Sequence, residues 1–420
     1  MSNLLHVIWL SLSCTPGTES FAKLLGRFSS AEEIYAADSA EIARCIGSKS
    51  KDYNALIDKS TDDAERILDF CMSKNVGLLS YFDDSFPISL RKIKNPPVLL
   101  YYRGKLPDFN GSFLASIVGA RKLSSYGKKH SFKIANDLAR SGAVIVSGMA
   151  TGIDGVALAG ALAASMPTVA ILGSGIDVCY PIQHRKLARE IVKRGCVMTE
   201  YAPGTRPEKY NFPVRNRIIS ALSEITLVIE GNERSGALIT ARKAFEQGKT
   251  VYAFPGNVGN VNSQASMLLL KNGAKVFTSA DDIVRDFENQ VPARLNPFKL
   301  AENERVDMYE VLRALEVSCV AIDDEVFNSK TKRVAKNQVQ KKVTVCESSD
   351  ERTDRNEEKM ASFDKRTVDL YKKIPMDSDC SVEELIDENY SLREVMATLL
   401  RLEIARFVTM LPGDRVKRNF

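Results

Sequence analysis

The amino-acid sequence predicts an α/β protein built on a doubly wound parallel sheet, with one small domain before it and another after it. Two observations lead there. Between about residues 112 and 290, apolar runs that end at glycine alternate with amphipathic stretches, the rhythm of parallel strands joined by helices. On either side that rhythm stops and helical spacing takes over, at 1–105 and again at 366–420. The 420 residues are 44% hydrophobic and 26% charged, enough for two or three domains with cores of their own.

Residues 1–105 read as a helical domain of SAM or helix-hairpin-helix type. WLSLSCTPGTESFAKLLGRF predicts a helix, a turn at Pro16-Gly17 and a second helix, the latter from the spacing of Phe21, Leu24, Leu25 and Phe28. SAEEIYAADSAEIARCIG repeats the pattern, with Ser30 and Ser39 as N-caps. The turn CTPGTES is glycine-poor for a DNA-binding helix hairpin, so a packing role is expected of this region.

Residues 106–290 carry the alternation. SFLASIVG, AVIVSG, PTVAILGSG, CVMTE, ITLVIE and TVYAFPG are the strands; KKHSFKIANDLARSG and IQHRKLAREIVKRG are helices between them. Right-handed crossovers then give a Rossmann-like, doubly wound topology. The stretch 291–365 loses the rhythm. SKTKRVAKNQVQKKV is basic and ESSDERTDRNEEK is charged and apolar-poor, which predicts a linker, disordered over 328–360, with a helix near 302–316. In 366–420, RTVDLYKKI, SVEELIDE and SLREVMATLLRLEI read as three helices, and ARFVTMLPGDRVKRN as a hairpin turning at Pro412-Gly413-Asp414. Three helices and a hairpin make a winged-helix layout. Its nine basic and ten acidic residues suit a protein contact better than a phosphate backbone.

Bulk properties exclude several classes. A net charge of +5 is mild, so the position of the charge matters more than its sum. The start, MSNLLHVIWLSLSC, has neither a basic leader nor a small-residue cleavage site, and no run approaches the roughly 18 apolar residues of a membrane span. Eight cysteines without a CxxC pair, and three histidines remote from them, predict neither a zinc site nor a disulfide framework. A reducing cytoplasm is the expected location.

The glycine loops resemble nucleotide motifs and fail their tests. In IVGARKLSSYG, Gly119 is followed by Arg121 and Ser124 where a dinucleotide fingerprint needs glycine, and Arg121 would block a pyrophosphate. Gly173-Ser174-Gly175 meets Val178 at the third position. Gly231 to Gly236 has P-loop spacing but continues with Ala237 and Leu238 instead of Lys and Ser or Thr. No cofactor is expected. The same glycines still fall at strand C-termini, where open α/β sheets hold ligands and helix N-termini offer N–H groups to phosphate. No catalytic cluster is evident: Ser147 and Ser235 lack the GxSxG setting, His130 and His184 read as structural, and Asp154 as a loop-orienting group. Glu200 and Glu230 end strands at the crevice, either as a carboxylate pair or as anchors for Arg215 or Arg217.

Two basic segments stand out. Gly111 to Asn136 carries Arg121, Lys122, Lys128, Lys129 and Lys133 with no acidic residue; the last three fit a solvated helix face, whereas Arg121 belongs to the strand-end loop. PEKYNFPVRNRIISALS gathers Lys209, Tyr210, Phe212, Arg215 and Arg217. Guanidinium groups grip phosphate and aromatic faces stack on unpaired bases. A buried Phe212 beside salt-bridged arginines is the equally open reading.

Taken in order, IVGARKLSSYGKK, VSGMATGID, ILGSGIDVCYP, FPVRNRIIS, LVIEGNERSGALITARKA and VYAFPG resemble the DprA/Smf family. The flanks are similar too, FDDSFPISLRKIKNPPVLLYYRG to the family's leading domain and the final domain to its winged helix. The resemblance implies a single-stranded DNA-binding protein, not an enzyme, that dimerises, displaces single-strand-binding protein and hands DNA to the recombinase RecA during natural transformation. It implies a positive pocket holding Arg121, Lys209, Phe212, Arg215 and Arg217, a floor at Gly119 and a rim at Ser235 and Gly236; Lys122, Ser124 and Asn216, in the same segments, join these as DNA contacts. Departures from the family pattern are Ala120 for a common serine, Leu158 where Ala-His usually follows GID, Thr199 for serine, and a 257–273 loop without the usual serine-glycine turn. The competing expectation is a phosphoribohydrolase-like enzyme acting on nucleoside monophosphates, with Glu230 beside Arg215, although PGNVGN at 255–260 only partly echoes the PGGxGT loop of such enzymes. A duplex-binding transcription regulator is a third, disfavoured by the acidic final domain.

Overall fold

The computed structural model describes residues 2–287, 294–295, 306–318 and 320–321, then 363–376, 378–387, 390–391, 394–395, 398–399, 402, 407–411 and 415–418. The chain divides into two compact units, Met1–Lys330 and Thr331–Phe420.

The first unit begins with helices α1 (Ser2–Ser13), α2 (Ser20–Leu25), α3 (Ala31–Ala36), α4 (Ser39–Ile46), α5 (Tyr53–Ile57) and α6 (Asp62–Ser73). The expected break at Pro16-Gly17 separates α1 from α2. Ser30 caps α3 as expected, accepting from the Glu33 N–H at 3.2 Å. The cap of α4 is Asp38, not Ser39: its carboxylate accepts from the Glu41 N–H while Glu41 reaches back to the Asp38 N–H, a reciprocal capping box that leaves Ser39 as the first helical residue.

Segment 77–104 departs from the helical reading. It forms β1 (Gly77–Ser80), the short α7 (Ile88–Arg91) and β2 (Leu99–Gly104). The apolar runs GLLS and VLLYY are short and bounded by Asn, Asp and Pro, which are strand signals. β2 pairs antiparallel with β7 (Cys196–Thr199), and β1 with β2. The opening helices do not build a separate core either: Ile8, Leu24 and Ile34 share one apolar cluster with Phe132, Val156 and Leu187.

The remaining strands are β3 (Leu114–Val118), the two-residue β4 (Lys122–Leu123), β5 (Val144–Ser147), β6 (Thr168–Ile171), β8 (Ile225–Val228), β9 (Thr250–Ala253) and β10 (Lys275–Val276). Nine described strands form one sheet in the order β1-β2-β7-β6-β5-β3-β8-β9-β10, parallel from β7 to β10. Helices α8 (Ser125–Arg140), α9 (Ile153–Ala163) and α10 (Arg185–Arg194) cover one face; α11 (Asn211–Leu222), α12 (Gly236–Glu246) and α13 (Gln264–Lys271) cover the other. The doubly wound sheet is therefore present, and burial on both faces accounts for its continuous apolar strands. From β3 the chain steps out through β5 to β7, then returns to lay β8 on the other side of β3. The connections reverse direction between β3 and β8, and there the carboxyl ends of the strands open a crevice.

After α14 (Ala280–Phe287) comes α15 (Met308–Ala314), inside the helix expected near 302–316 and capped by Asp307. β11 (Val320–Ala321) then pairs parallel with β4. This part of the stretch read as linker is thus packed structure, because Leu312 is buried in the same cluster as α8 and α9. The disorder expected over 328–360 lies outside the described residues. In the second unit a helix spans Lys365–Lys373, and β13 (Val408–Leu411) and β14 (Arg415–Arg418) form the expected hairpin. SVEELIDE is not the helix expected: β12 (Asp379–Ser381) pairs with β14 and only a 3-10 turn, Val382–Leu385, follows before the Asp387–Tyr390 bridge. The Pro412-Gly413-Asp414 turn and most of SLREVMATLLRLEI lie outside the described residues. Leu370, Ile374, Val382, Leu399 and Val416 pack this unit.

Candidate functional site

A cleft of about 820 Å³ opens at the β3–β8 switch point. Its lining comes from the loop after β3 (Gly119 to Lys122), the turn after β5 (Ala150, Asp154), Tyr180, the approach to α11 (Pro207, Glu208, Lys209), α11 itself, and the loop and first turns of α12. Helix α11 explains much of the chemistry. Phe212, Arg215, Asn216 and Ile219 all line the cleft, and their spacing of three, four and seven residues makes them one helical stripe. Pro213 sits in the first turn, where the helix needs no N–H.

Arg121 and Lys122 are exposed at the mouth, with the Arg121 Cζ 5.3 Å from the Phe212 ring centre. Arg215 lies beneath, its Cζ 5.9 Å from the same ring. Tyr180 flanks Phe212 at 5.5 Å between centroids and is 42% exposed, so a second aromatic face is available to a ligand. Arg215 is buried. Its Nη1 donates to the carbonyls of Gly148, at 2.8 Å, and Ile171, and its Nε donates to Asn216 Oδ1 at 3.1 Å. A Cβ on Gly148 would stand 2.5 Å from its Nη2, so glycine is needed for this approach. Burial pulls the Arg215 pKa below its ordinary value, while Asp154 pulls it up; a guanidinium stays charged under these opposed influences. Burial likewise pushes the Asp154 carboxyl up, against Arg215 and backbone bonds from Ala150 and Gly148, which suits the loop-orienting role expected of it.

Of the expected contacts, Gly119, Arg121, Lys122, Lys209, Phe212, Arg215, Asn216, Ser235 and Gly236 line the cleft. Ser235 caps α12, and Gly236 faces open space with no atom within 4 Å of a Cβ position. Ser124 and Arg217 do not line it. Ser124 caps α8 and is occupied by Glu230: its N–H donates to Oε1 and its hydroxyl to Oε2, both at 2.7 Å. That carboxylate takes the N-terminus of α8 from any phosphate. Arg217 lies two positions from Arg215, 200° around the helix, and pairs with Glu200 at 2.7 Å with both side chains under 10% exposed. Glu200 therefore anchors Arg217, one of the two roles open for it, and Glu230 and Arg215 are each engaged with other partners.

Sequence reading missed Tyr180, Asn232, Arg234, Thr240 and Asn262 at the cleft wall. Arg234 was within reach, since the β8 loop that holds it faces the β3 loop at any such switch point. The lining carries Arg121, Lys122, Lys209, Arg215 and Arg234 against Asp154 and Glu208, a basic concavity with aromatic faces. Such a surface attracts an anionic backbone and offers stacking to bases. No cluster of potential metal ligands occurs among the described residues.

The chain is similar to proteins of one known family. The profile of the DNA recombination-mediator protein A family matches residues 77–288. The chain is similar to the DNA processing protein DprA of Bacillus subtilis, 34% identical over 233 residues that span 56% of this chain and 78% of that protein. It is 40% identical over 209 residues to DprA of Streptococcus pneumoniae, covering 50% of this chain and 73% of the relative. The X-ray structure of DNA processing protein A from Streptococcus pneumoniae superposes with a TM-score of 0.56 at 34% identity, covering 64% of this chain and 93% of that one.

Proposed function

The chain belongs to the DNA recombination-mediator protein A family, the DprA/Smf proteins, and from that membership we propose that it binds single-stranded DNA in the β3–β8 cleft and acts as a binding protein in recombination. The observation that carries the reading is the pairing of five basic side chains with Phe212 and Tyr180 in one concavity. Arg121, Lys122, Lys209 and Arg234 neutralise phosphates at the mouth. Arg215, held rigid by three hydrogen-bond acceptors, supplies fixed charge at the floor. Gly119, Asn216, Ser235 and Gly236 shape the walls. Phe212 and Tyr180 take bases, which duplex DNA would not offer because its bases are already stacked.

The same reading has the protein work as a homodimer in the cytoplasm, displace single-strand-binding protein and pass the strand to RecA, with the second unit as a winged-helix contact for proteins. Among the described residues no helix is long and apolar enough to cross a membrane.

A salt titration of labelled single-stranded and duplex oligonucleotides, with and without RecA, tests it. Affinity for the single strand should fall linearly with log salt, by roughly 0.7 log units per phosphate neutralised per tenfold salt. Equal affinity for duplex, or binding indifferent to salt, would count against the cleft assignment. Release of free base from nucleoside monophosphates would instead favour the hydrolase reading.

A further inference from the structure

We propose that residues 306–318 and 320–321 form a strap that positions the Arg121–Lys122 edge of the cleft, with His184 as the positioning residue that holds it; the proposal rests on the cleft being the DNA site. The strap comprises α15, the turn after it and β11. Two of its attachments reach the loops that build the mouth, and another reaches His184, which is itself bonded to the turn after β5. Val320 and Ala321 pair with Lys122 and Leu123. The Ser318 carbonyl accepts from the Gly152 N–H at 3.2 Å. The Ser318 N–H donates to His184 Nε2 at 2.9 Å.

His184 is fully buried and bonded at both nitrogens. Its Nδ1 lies 2.9 Å from the Met149 carbonyl, which can only accept, so Nδ1 carries the proton and Nε2 is the acceptor for Ser318. One ring thus ties the turn after β5 to the strap. Gly155 makes room for it: a Cβ there would stand 2.6 Å from His184 Cε1. From Gly152 the connection passes to the DNA edge. The Ile153 N–H donates to the Ala120 carbonyl at 3.1 Å, and a Cβ on Gly152 would meet the carbonyl oxygens of Ala120 and Arg121 at 2.2 and 2.6 Å. Leu312, 5% exposed, anchors the strap in the core beside α9. Arg121 itself is exposed, and the backbone around it is fastened on the strap side.

Only neutral His184 can accept from Ser318. Burial holds its pKa below the free value of 6.5, so the attachment is complete above pH 6.5 and is lost as pH falls further below it. Ionisable groups on the neighbouring elements include Asp154 on α9, Glu310, Arg313 and Glu316 on the strap, Lys128 on α8, and Arg185 and Lys186 beside it in sequence; Lys128, Arg313 and Glu316 share one surface hollow with Gln183 and Ser318, and Lys186 and Glu316 pair at 3.7 Å.

The test uses the full chain and three variants. Ser318→Pro removes the strap's donor, Leu312→Asp expels its anchor, and His184→Gln keeps a donor and an acceptor but does not titrate. Amide hydrogen exchange of 306–318 reads docking independently of DNA, and oligonucleotide anisotropy reads affinity. Wild-type strap amides should be protected at pH 7.5. Ser318→Pro and Leu312→Asp should each lose that protection and bind single-stranded DNA about 5- to 10-fold more weakly. As pH is lowered below 6.5 wild-type affinity should fall relative to His184→Gln, with strap protection lost in the wild type over the same range and kept in the variant. Wild-type binding with affinity unchanged or raised in both strap variants would overturn the proposal, as would an unprotected wild-type strap. Absence of any wild-type binding would instead refute the cleft reading, while exchange still reported on the strap.

Discussion

Replacing Arg121 by alanine isolates the charge at the mouth of the cleft. The side chain is exposed, so its loss opens no cavity and the fold should melt unchanged. What it removes is one guanidinium 5.3 Å from Phe212, placed to meet a phosphate. A cation–π contact contributes about 0.5–1 kcal/mol at such a site and a charge-assisted hydrogen bond about 1.5–3 kcal/mol. Allowing for solvent screening, a loss of about 2 kcal/mol is expected, roughly a 30-fold rise in Kd. The salt dependence identifies the cause. Removing one phosphate contact should lower the slope of log affinity against log salt by roughly 0.7, so the mutant's deficit should shrink by about 2.6-fold between about 50 and 200 mM salt. Fluorescence anisotropy of a labelled oligonucleotide measures both quantities. Unchanged affinity at the lower salt, or a deficit that does not vary with salt, would refute the assignment of Arg121 to a phosphate.

Phe212→Ala should cost about 1–3 kcal/mol of single-strand affinity and reduce the preference for single strands over duplex, which competition binding would show. Arg217→Ala should behave differently: it leaves the buried Glu200 carboxylate without its partner and should destabilise the fold by about 3–5 kcal/mol in denaturant melts, while binding at saturating stability changes little. Gly119→Ala would place a methyl 2.5 Å from Ile153 Cγ1, forcing β3 and α9 apart; a loss of about 1–3 kcal/mol of stability is expected, with weaker DNA binding because the floor moves.

Local patterns in the sequence determined a great deal of this protein. Apolar runs closed by glycine specified the parallel strands, because a strand covered by helices on both faces has no polar face to show. The basic and aromatic residues of two segments named four of the five basic side chains that line the cleft and one of its two aromatic rings. Even the misplacement of Arg217 was open to sequence reasoning, since residues two apart on a helix point to opposite sides.

Other features depended on chain segments that meet only after folding. Glu230 reaches Ser124 across 106 positions of sequence and closes the N-terminus of α8, a bond no local signal encodes. β1 and β2 joined the sheet because β7 presented an edge to pair with, although helices precede them and dominate the local pattern. Tyr180 faces Phe212 only because the β6 loop folds over α11. Composition put residues 306–318 inside a linker; a buried Leu312 and the two-sided hydrogen bonding of His184 made them part of the packed first unit. Strand and helix identity follow from periodicity along the chain, whereas which polar groups satisfy one another follows from proximity in space, and only the tertiary structure supplies that.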